Sequence, residues 1–419
     1  MGFRRVKLAC YSVNVSMAVV GNLSPVLFLT FRSLYGISYS LLGLLVLINF
    51  VTQLGIDLIF SFFSHKFNIP LAVKMTPFLT VIGLGIYALA PFVFSNNIYI
   101  GLVIGTIIFS AASGFSEVLI SPVIAAIPSE NPERDMSKLH SIYAWGVVAV
   151  ILVSTLFLLV FPKEYWWVLP IIFMSIPIFS ISMFMGSKLP SLETPEKLSG
   201  ALKFFKSKWL WISVFAIFLG GAAECTMAQW SSSFIENALG IPKIWGDVFG
   251  VALFALALGL GRTLYAKKGK NIEKVLFIGA IGSTACYLIA TISGIPILGL
   301  LACAFTGFCV SMMWPGCLVI ASEKFPSAGV FIYAMMAAGG DLGASFGPQL
   351  VGVVTDEVSK SDLALKLGER LSLSTEQVGM KAGMLVGVIL STIAIFVYLY
   401  IYRSKKKEQK KFKLLWNKN

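Results

Sequence analysis

The stretch GFSEVLISPVIAAIPSE, Gly114–Glu130, recurs in outline as GFCVSMMWPGCLVIASE, Gly307–Glu323. Superimposed without a gap, the two share an opening Gly-Phe, a central proline (Pro122 and Pro315), an isoleucine (Ile127 and Ile320) and a closing Ser-Glu. The register carries on into SIYAWG, Ser141–Gly146, which faces FIYAMM, Phe331–Met336, after a connection three residues shorter. What is kept is what a backbone needs: glycine where helices approach closely, proline where one bends, and a Ser-Glu helix end. Chemistry is kept on one side only, because Glu117 in the first copy faces Val310 in the second.

Both copies lie in apolar runs. Of the 419 residues, 57% are hydrophobic and 13% charged, about half the charged share of an ordinary globular domain. A run of roughly 20 apolar residues crosses a hydrocarbon core as a helix. Twelve such runs follow one another: 7–31, 38–64, 70–94, 97–128, 138–161, 165–187, 209–238, 243–265, 272–292, 296–321, 327–355 and 377–402. The first follows MGFRR, is too long for the core of a signal peptide and has no small-residue cleavage site behind it, so it is expected to remain in the mature chain.

Charge sets the expected orientation. With both termini cytoplasmic, the inner segments hold 26 Lys and Arg and the outer ones seven, the asymmetry of the positive-inside rule. The net charge of +13 is therefore mostly topology. RSKKKEQKKFK, Arg403–Lys413, directly follows a span, and is expected to meet anionic lipid heads rather than nucleic acid. All six cysteines (Cys10, Cys225, Cys286, Cys303, Cys309 and Cys317) fall inside spans, so no disulfide framework, metal site or cofactor is implied. Catalysis has no support either, since there is no phosphate-binding glycine loop and no nucleophile-base pair.

The longest inner connection, Gly186–Lys208, is rich in Pro, Ser and Lys and divides the twelve spans into two sixes. The repeat occupies the fourth span of each. The expectation is an all-α membrane protein of twelve transmembrane helices in two pseudo-symmetric six-helix bundles, 1–187 and 209–402, joined by a cytoplasmic linker at 188–208 and followed by a basic cytoplasmic tail at 403–419. Parallel repeats of this kind place a solute at mid-membrane between the halves. The outer loop Thr355–Gly379 is amphipathic and is expected to hold a short surface helix.

With these halves in view, the chain resembles the major facilitator superfamily over nearly its whole length. The superfamily's inner-loop signature is degenerate in SHKFNIP, Ser64–Pro70, and stronger in its second-half echo, GLGRTLYAKKG, Gly259–Gly269. Glu117, LHSIYAWG at Leu139–Gly146 and GGDLGASFGPQLVG at Gly339–Gly352 look like the fucose-permease branch of sugar symporters. That branch pairs its span-four carboxylate with an acid on the first span. Here the first span offers Asn14 and Asn22, and Asn22 is a candidate solute contact.

Ionisable groups inside spans are costly to insert and each marks a candidate site. Glu117 is placed to bind a sugar hydroxyl, a coupling proton, or both in turn, or to act as interhelical glue. Asn49, Gln53, Asp57, Ser61 and His65 recur every fourth residue on span two, either lining a wet cavity or forming a packing seam, and Asp57 is the second candidate for ion coupling. Span seven offers Glu224, Gln229 and Trp230, polar groups with an aromatic platform suited to a sugar. Glu224 and Gln229 stand about 140° apart on a straight helix, so they converge only if Gly220 and Gly221 let it bend.

Span eleven carries a glycine ridge (Gly339, Gly343, Gly347) and, about 160° away, a polar row of Asp341, Ser345 and Gln349. Asp341 is a cavity candidate or a partner for Arg262. Tyr143 is a further candidate solute contact with an echo in Tyr333, and Trp314 is a sugar platform or core. His140 and Arg262, at inner helix ends, are candidate gate residues. The best-fitting function is secondary transport of a small polar solute, a monosaccharide or related sugar, by a monomer in the cell membrane with proton or sodium coupling. The alternative is an efflux carrier for drugs or lipophilic cations.

Overall fold

A computed structural model describes residues 3–63, 67–128, 132–190, 201–325 and 330–416. Among them are sixteen α-helices and no strand. The first half runs α1 (Arg4–Val26), α2 (Phe28–Tyr35), α3 (Tyr39–Phe63), α4 (Ile69–Val93), α5 (Ile98–Ala126), α6 (Pro132–Val160) and α7 (Val168–Phe184). The second runs α8 (Lys208–Asn237), α9 (Lys243–Trp245), a π-helical stretch at Gly246–Ala252, α10 (Leu253–Lys268), α11 (Ile272–Ile292), α12 (Pro296–Val310), α13 (Met313–Lys324), α14 (Val330–Ser359), α15 (Asp362–Leu371) and α16 (Thr375–Trp416). Joining α1 to α2, α9 to α10 and α12 to α13 as single crossings gives twelve traversals, which puts both termini on one face.

Ten stretches among the described residues are long and apolar enough to span a membrane. Among the described residues of α6, Trp145–Val160 is an apolar stretch, and α14 carries Asp341, Ser345 and Gln349 at mid-length. The helix of the last span does not stop where its apolar run ends at 402 but continues through the basic residues to Trp416. Large apolar side chains such as Leu89, Phe92, Ile292, Ile297 and Phe396 point outward, as lipid demands. The amphipathic outer loop forms α15, whose N-cap Ser361 accepts the Ala364 N–H at 3.2 Å.

Within each half the helices pack closely, α4 between α5 and α7, α11 between α12 and α16. The repeat glycines set these distances. A methyl group on Gly114 would meet Ile56 Cβ at 2.9 Å and the Gln53 carbonyl at 3.1 Å, so α5 rides on α3. In the second half a methyl on Gly307 would meet Phe254 C at 2.9 Å, and α12 rides on α10 in the same way. The expected glycine ridge of α14 packs on α8: Gly339 meets Val214 and Ile217, Gly343 meets Phe218 and Ala222, and Gly347 meets Ala222 and Thr226.

The halves meet chiefly along α3 and α14, and they close at the face opposite the termini. There Asp356 of α14 accepts the Tyr39 N–H at 3.2 Å and the Ser40 N–H at 2.6 Å, capping the N-terminus of α3. Arg32 reaches Glu376 at 2.6 Å, and the Tyr39 hydroxyl donates to the same carboxylate at 2.8 Å. Thr155 of α6 donates to Asp247 at 2.5 Å, and that fully buried carboxylate also takes Ser232 and Lys243.

Candidate functional site

Glycine at 114 is the local cause of the site. By bringing α5 against α3 it sets Glu117 beside Asp57, and α14 brings Asp341 to the same place from the other half. One oxygen from each of the three carboxylates lies within 4.8 Å of the others. Asp57 and Asp341 are buried at 5% and 4% exposure, while Glu117 is exposed. Tyr143 of α6 is 38% exposed and has Glu117, Glu224, Cys225 and Arg262 as its electrostatic neighbours.

The second constellation is an ion pair. Arg262 Nη2 lies 3.3 Å from both oxygens of Glu224, and its Nε donates to the Ser311 carbonyl at 3.0 Å. The reason is in the chain: Pro315 has no N–H to give the carbonyl four residues before it, so the helix breaks between α12 and α13 and the orphaned Ser311 oxygen takes a side-chain donor instead. The same arithmetic applies to Pro25 and Gly21. The Gly21 carbonyl, deprived of its helical partner, accepts Gln229 Nε2 at 3.3 Å from the opposite half.

These contacts correct several expectations. Arg262 pairs with Glu224, not with Asp341, and Asp341 joins the acids of the first half. The α8 helix runs unbroken through Gly220 and Gly221. Those glycines instead let it approach Met313, Trp314 and Gly340, so Glu224 and Gln229 do not converge. Trp230 is fully buried, donates to the Pro348 carbonyl at 2.9 Å and packs on Phe28 and Tyr39, presenting no surface to a solute in this conformation. Gln349 donates to the Ser40 carbonyl at 3.4 Å in the α3–α14 contact.

Asn22 is half-buried and donates within its own helix to Ala18. On span two, Asn49 and Gln53 form a seam: Gln53 donates to Asn49 Oδ1 at 3.1 Å and so does Ser110 at 2.5 Å. Trp314 packs against Gly340, where a methyl would meet its Cζ2 at 2.6 Å. His140 lies in α6 but its side chain, like all of His65, is outside the described residues.

Sequence reasoning passed over Asp356, Glu376, Asp247 and the helix break at Ser311. The first three stand at helix ends and looked like ordinary surface acids. The break had a signal in Pro315.

The accessible groups thus supply a carboxylate, a phenol and a fixed ion pair, enough to donate to and accept from a polar solute. Over 263 residues the chain is 24% identical to an uncharacterized MFS-type transporter of Yersinia pestis, covering 62% of this chain and 67% of that one. Among solved structures it is similar to a bacterial homolog of the human lysosomal transporter Spinster (TM-score 0.72, 12% identity, 95% and 96% of the two chains covered). It is also similar to the nucleoside transporter NupG (0.66, 13%, 96% and 98%) and to the E. coli fucose:proton symporter (0.58, 15%, 94% and 99%). The fucose-permease branch is therefore not singled out by fold. The family model of the Major Facilitator Superfamily matches residues 9–348, and the chain belongs to that superfamily of transporters.

Proposed function

We propose that this transporter moves a small hydroxylated solute, a monosaccharide or a sugar-bearing molecule of nucleoside size, across the cell membrane by alternating access, coupled to a proton or a sodium ion. The carrying observation is the accessible trio of Glu117, Tyr143 and the Glu224–Arg262 pair, reachable while the halves are sealed at the opposite face. Both termini are proposed to be cytoplasmic, so the solute space faces the cytoplasm in this conformation. Likeness to sugar and nucleoside carriers supports the solute class. The units 1–187 and 209–402 are proposed to rock about the linker 188–208.

Uptake into proteoliposomes, measured over a panel of sugars and nucleosides under imposed pH and sodium gradients, tests this. The expected result is saturable uptake of one solute class that collapses in Glu117→Gln while the purified chain stays monodisperse. Dye or drug extrusion with no sugar or nucleoside uptake would overturn it.

A further inference from the structure

The helix α15 (Asp362–Leu371) carries an apolar arc that the protein covers only in part. At about 100° per residue, Leu363, Leu367, Leu371, Ala364, Gly368 and Leu365 follow one another around one side, and Glu369, Asp362, Lys366 and Arg370 fill the rest. Ala364 and Gly368, inside the apolar arc, are buried, and α15 packs mainly on α16. The leucines on either flank are bare: Leu363 is 59% exposed, Leu365 54% and Leu371 58%. Leaving three such side chains in water on one short helix is costly.

The chain also fixes the depth at which this arc stands. The α14 helix ends at Ser359, about 6 Å of helix beyond the close of its apolar run at 355, and α16 starts at Thr375, just before its own apolar run. The headgroup layer of a bilayer is about 5–7 Å thick on each side, so both ends of α15 are tied at that level. The return is tight. Ser372 takes the left-handed region at φ 54°, and the Leu373 N–H donates to the Gly368 carbonyl at 2.9 Å. Ser374 and Gln377 then cap each other, at 2.9 and 3.1 Å. Further along the same two spans, Val353 of α14 and Leu385 and Ile389 of α16 are exposed, as side chains facing lipid are.

We propose that α15 is a docking surface for a phospholipid leaflet, the one at the face opposite the termini. Leu363, Leu365 and Leu371 enter the boundary between headgroups and acyl chains. Lys366 and Arg370, both exposed, border the Leu363 edge of the apolar arc and reach the headgroup phosphates along their alkyl stems. Asp362 and Glu369, exposed on the remaining side, face water. Asp356 and Glu376, which hold the closed face, stand just before and just after α15, so the leaflet contact borders the seal.

The test places nitroxide labels on Leu363→Cys, Leu371→Cys, Asp362→Cys and Glu369→Cys, one variant at a time, in the full chain reconstituted singly in nanodiscs. The chain without an introduced cysteine, treated in parallel, sets the background of its six native thiols. Labels at the two leucine positions are expected to relax faster with oxygen than with a water-soluble nickel chelate and to lie roughly 5–10 Å inside the phosphate level. Labels at the two acid positions should show the reverse preference. Neutralising both cations, Lys366→Gln with Arg370→Gln, should bring the Leu371→Cys label nearer the surface in discs containing phosphatidylglycerol, and less so in phosphatidylcholine alone. Preference for the nickel chelate at both leucine positions would put the arc in water and overturn the proposal. Exclusion of both relaxers there in liposomes, with spin coupling between chains, would overturn it in favour of a second copy. An unchanged depth in the neutralised variant would overturn the part given to Lys366 and Arg370. None of these readouts involves solute uptake, so failure here and failure of the solute reading are told apart.

Discussion

Closure at the face opposite the termini depends most on Asp356. Its two oxygens take the Tyr39 and Ser40 N–H groups at 3.2 and 2.6 Å, its side chain is 6% exposed, and the helix end it caps carries the positive end of the α3 dipole. A hydrogen bond to a charged group contributes about 1.5–3 kcal/mol net. The longer bond and the water regained on opening argue for the low end, so the pair is worth about 3 kcal/mol. At about 1.4 kcal/mol per decade, Asp356→Ala should shift the closed-to-open ratio by roughly a hundredfold. A protein lying 99:1 toward closure would become about evenly divided.

The Arg32–Glu376 contact is as short as the Asp356–Ser40 bond, 2.6 Å, but its side chains are 32% and 37% exposed. Solvent screening limits it to about 1 kcal/mol, so Glu376→Gln should shift the ratio by no more than about fivefold. Spin labels on cysteines introduced at Lys163 and Lys360, exposed on either side of the seal, report the closed fraction by pulsed electron resonance. Equal shifts in the two variants, or an unchanged distance distribution in folded Asp356→Ala, would refute the reasoning.

Gln229→Leu should also lower the closed fraction, by about 1 kcal/mol, because it strands the Gly21 carbonyl that Pro25 has orphaned. On a Pro25→Ala background, where the backbone N–H is restored, the same change should cost markedly less, and a double-mutant cycle on the spin-label distances checks it. Arg262→Gln should abolish solute uptake and leave Glu224 without its partner. With Arg262 44% exposed the stability loss should be about 1–2 kcal/mol, below the range for fully buried pairs, and the double variant with Glu224→Gln should recover most of the Tm but not the uptake. Gly343→Ala should destabilise by about 1–3 kcal/mol, because its methyl would overlap the Phe218 carbonyl and sit 3.0 Å from Ala222 N. Gly55→Ala, with nothing within 4 Å, is the control and should be neutral or slightly stabilising in thermal unfolding.

The fold was legible because lipid leaves the backbone few choices. Apolar length gave the spans, and the faint repeat pointed to two halves. Even the reason for the repeat could be read, since Gly114 and Gly307 do set equivalent helix approaches. What a helical period cannot give is the relative depth and rotation of two helices. Asp57 and Glu117 are on helices neighbouring in one half, but Asp341 reaches them only through the α3–α14 contact. Trp230, for its part, is carried into the seal by Phe28, Tyr39 and Pro348. A polar or aromatic residue in a span is costly wherever it goes, and composition does not say whether cavity or seam accounts for it.

Prolines do carry information of that second kind. A proline at position i removes the donor to the carbonyl at i−4, and in a membrane water does not fill the gap. Pro25 and Pro315 thereby created two acceptors, on Gly21 and Ser311, and in each case a long polar side chain from another helix, Gln229 or Arg262, supplies the donor. Both of those residues stood out in the sequence as candidate site residues, yet each has one hand committed to backbone. For Arg262 this has a chemical consequence: the bond to Ser311 fixes the guanidinium in front of Glu224, so the ion pair is preorganised and Asp341 is left to the acids of the other half. The asymmetry between Glu117 and Val310 then follows from the same division of labour. The first half brings acids, the second brings a neutralised pair and one further acid, and only the glycines and prolines that position them had to be copied.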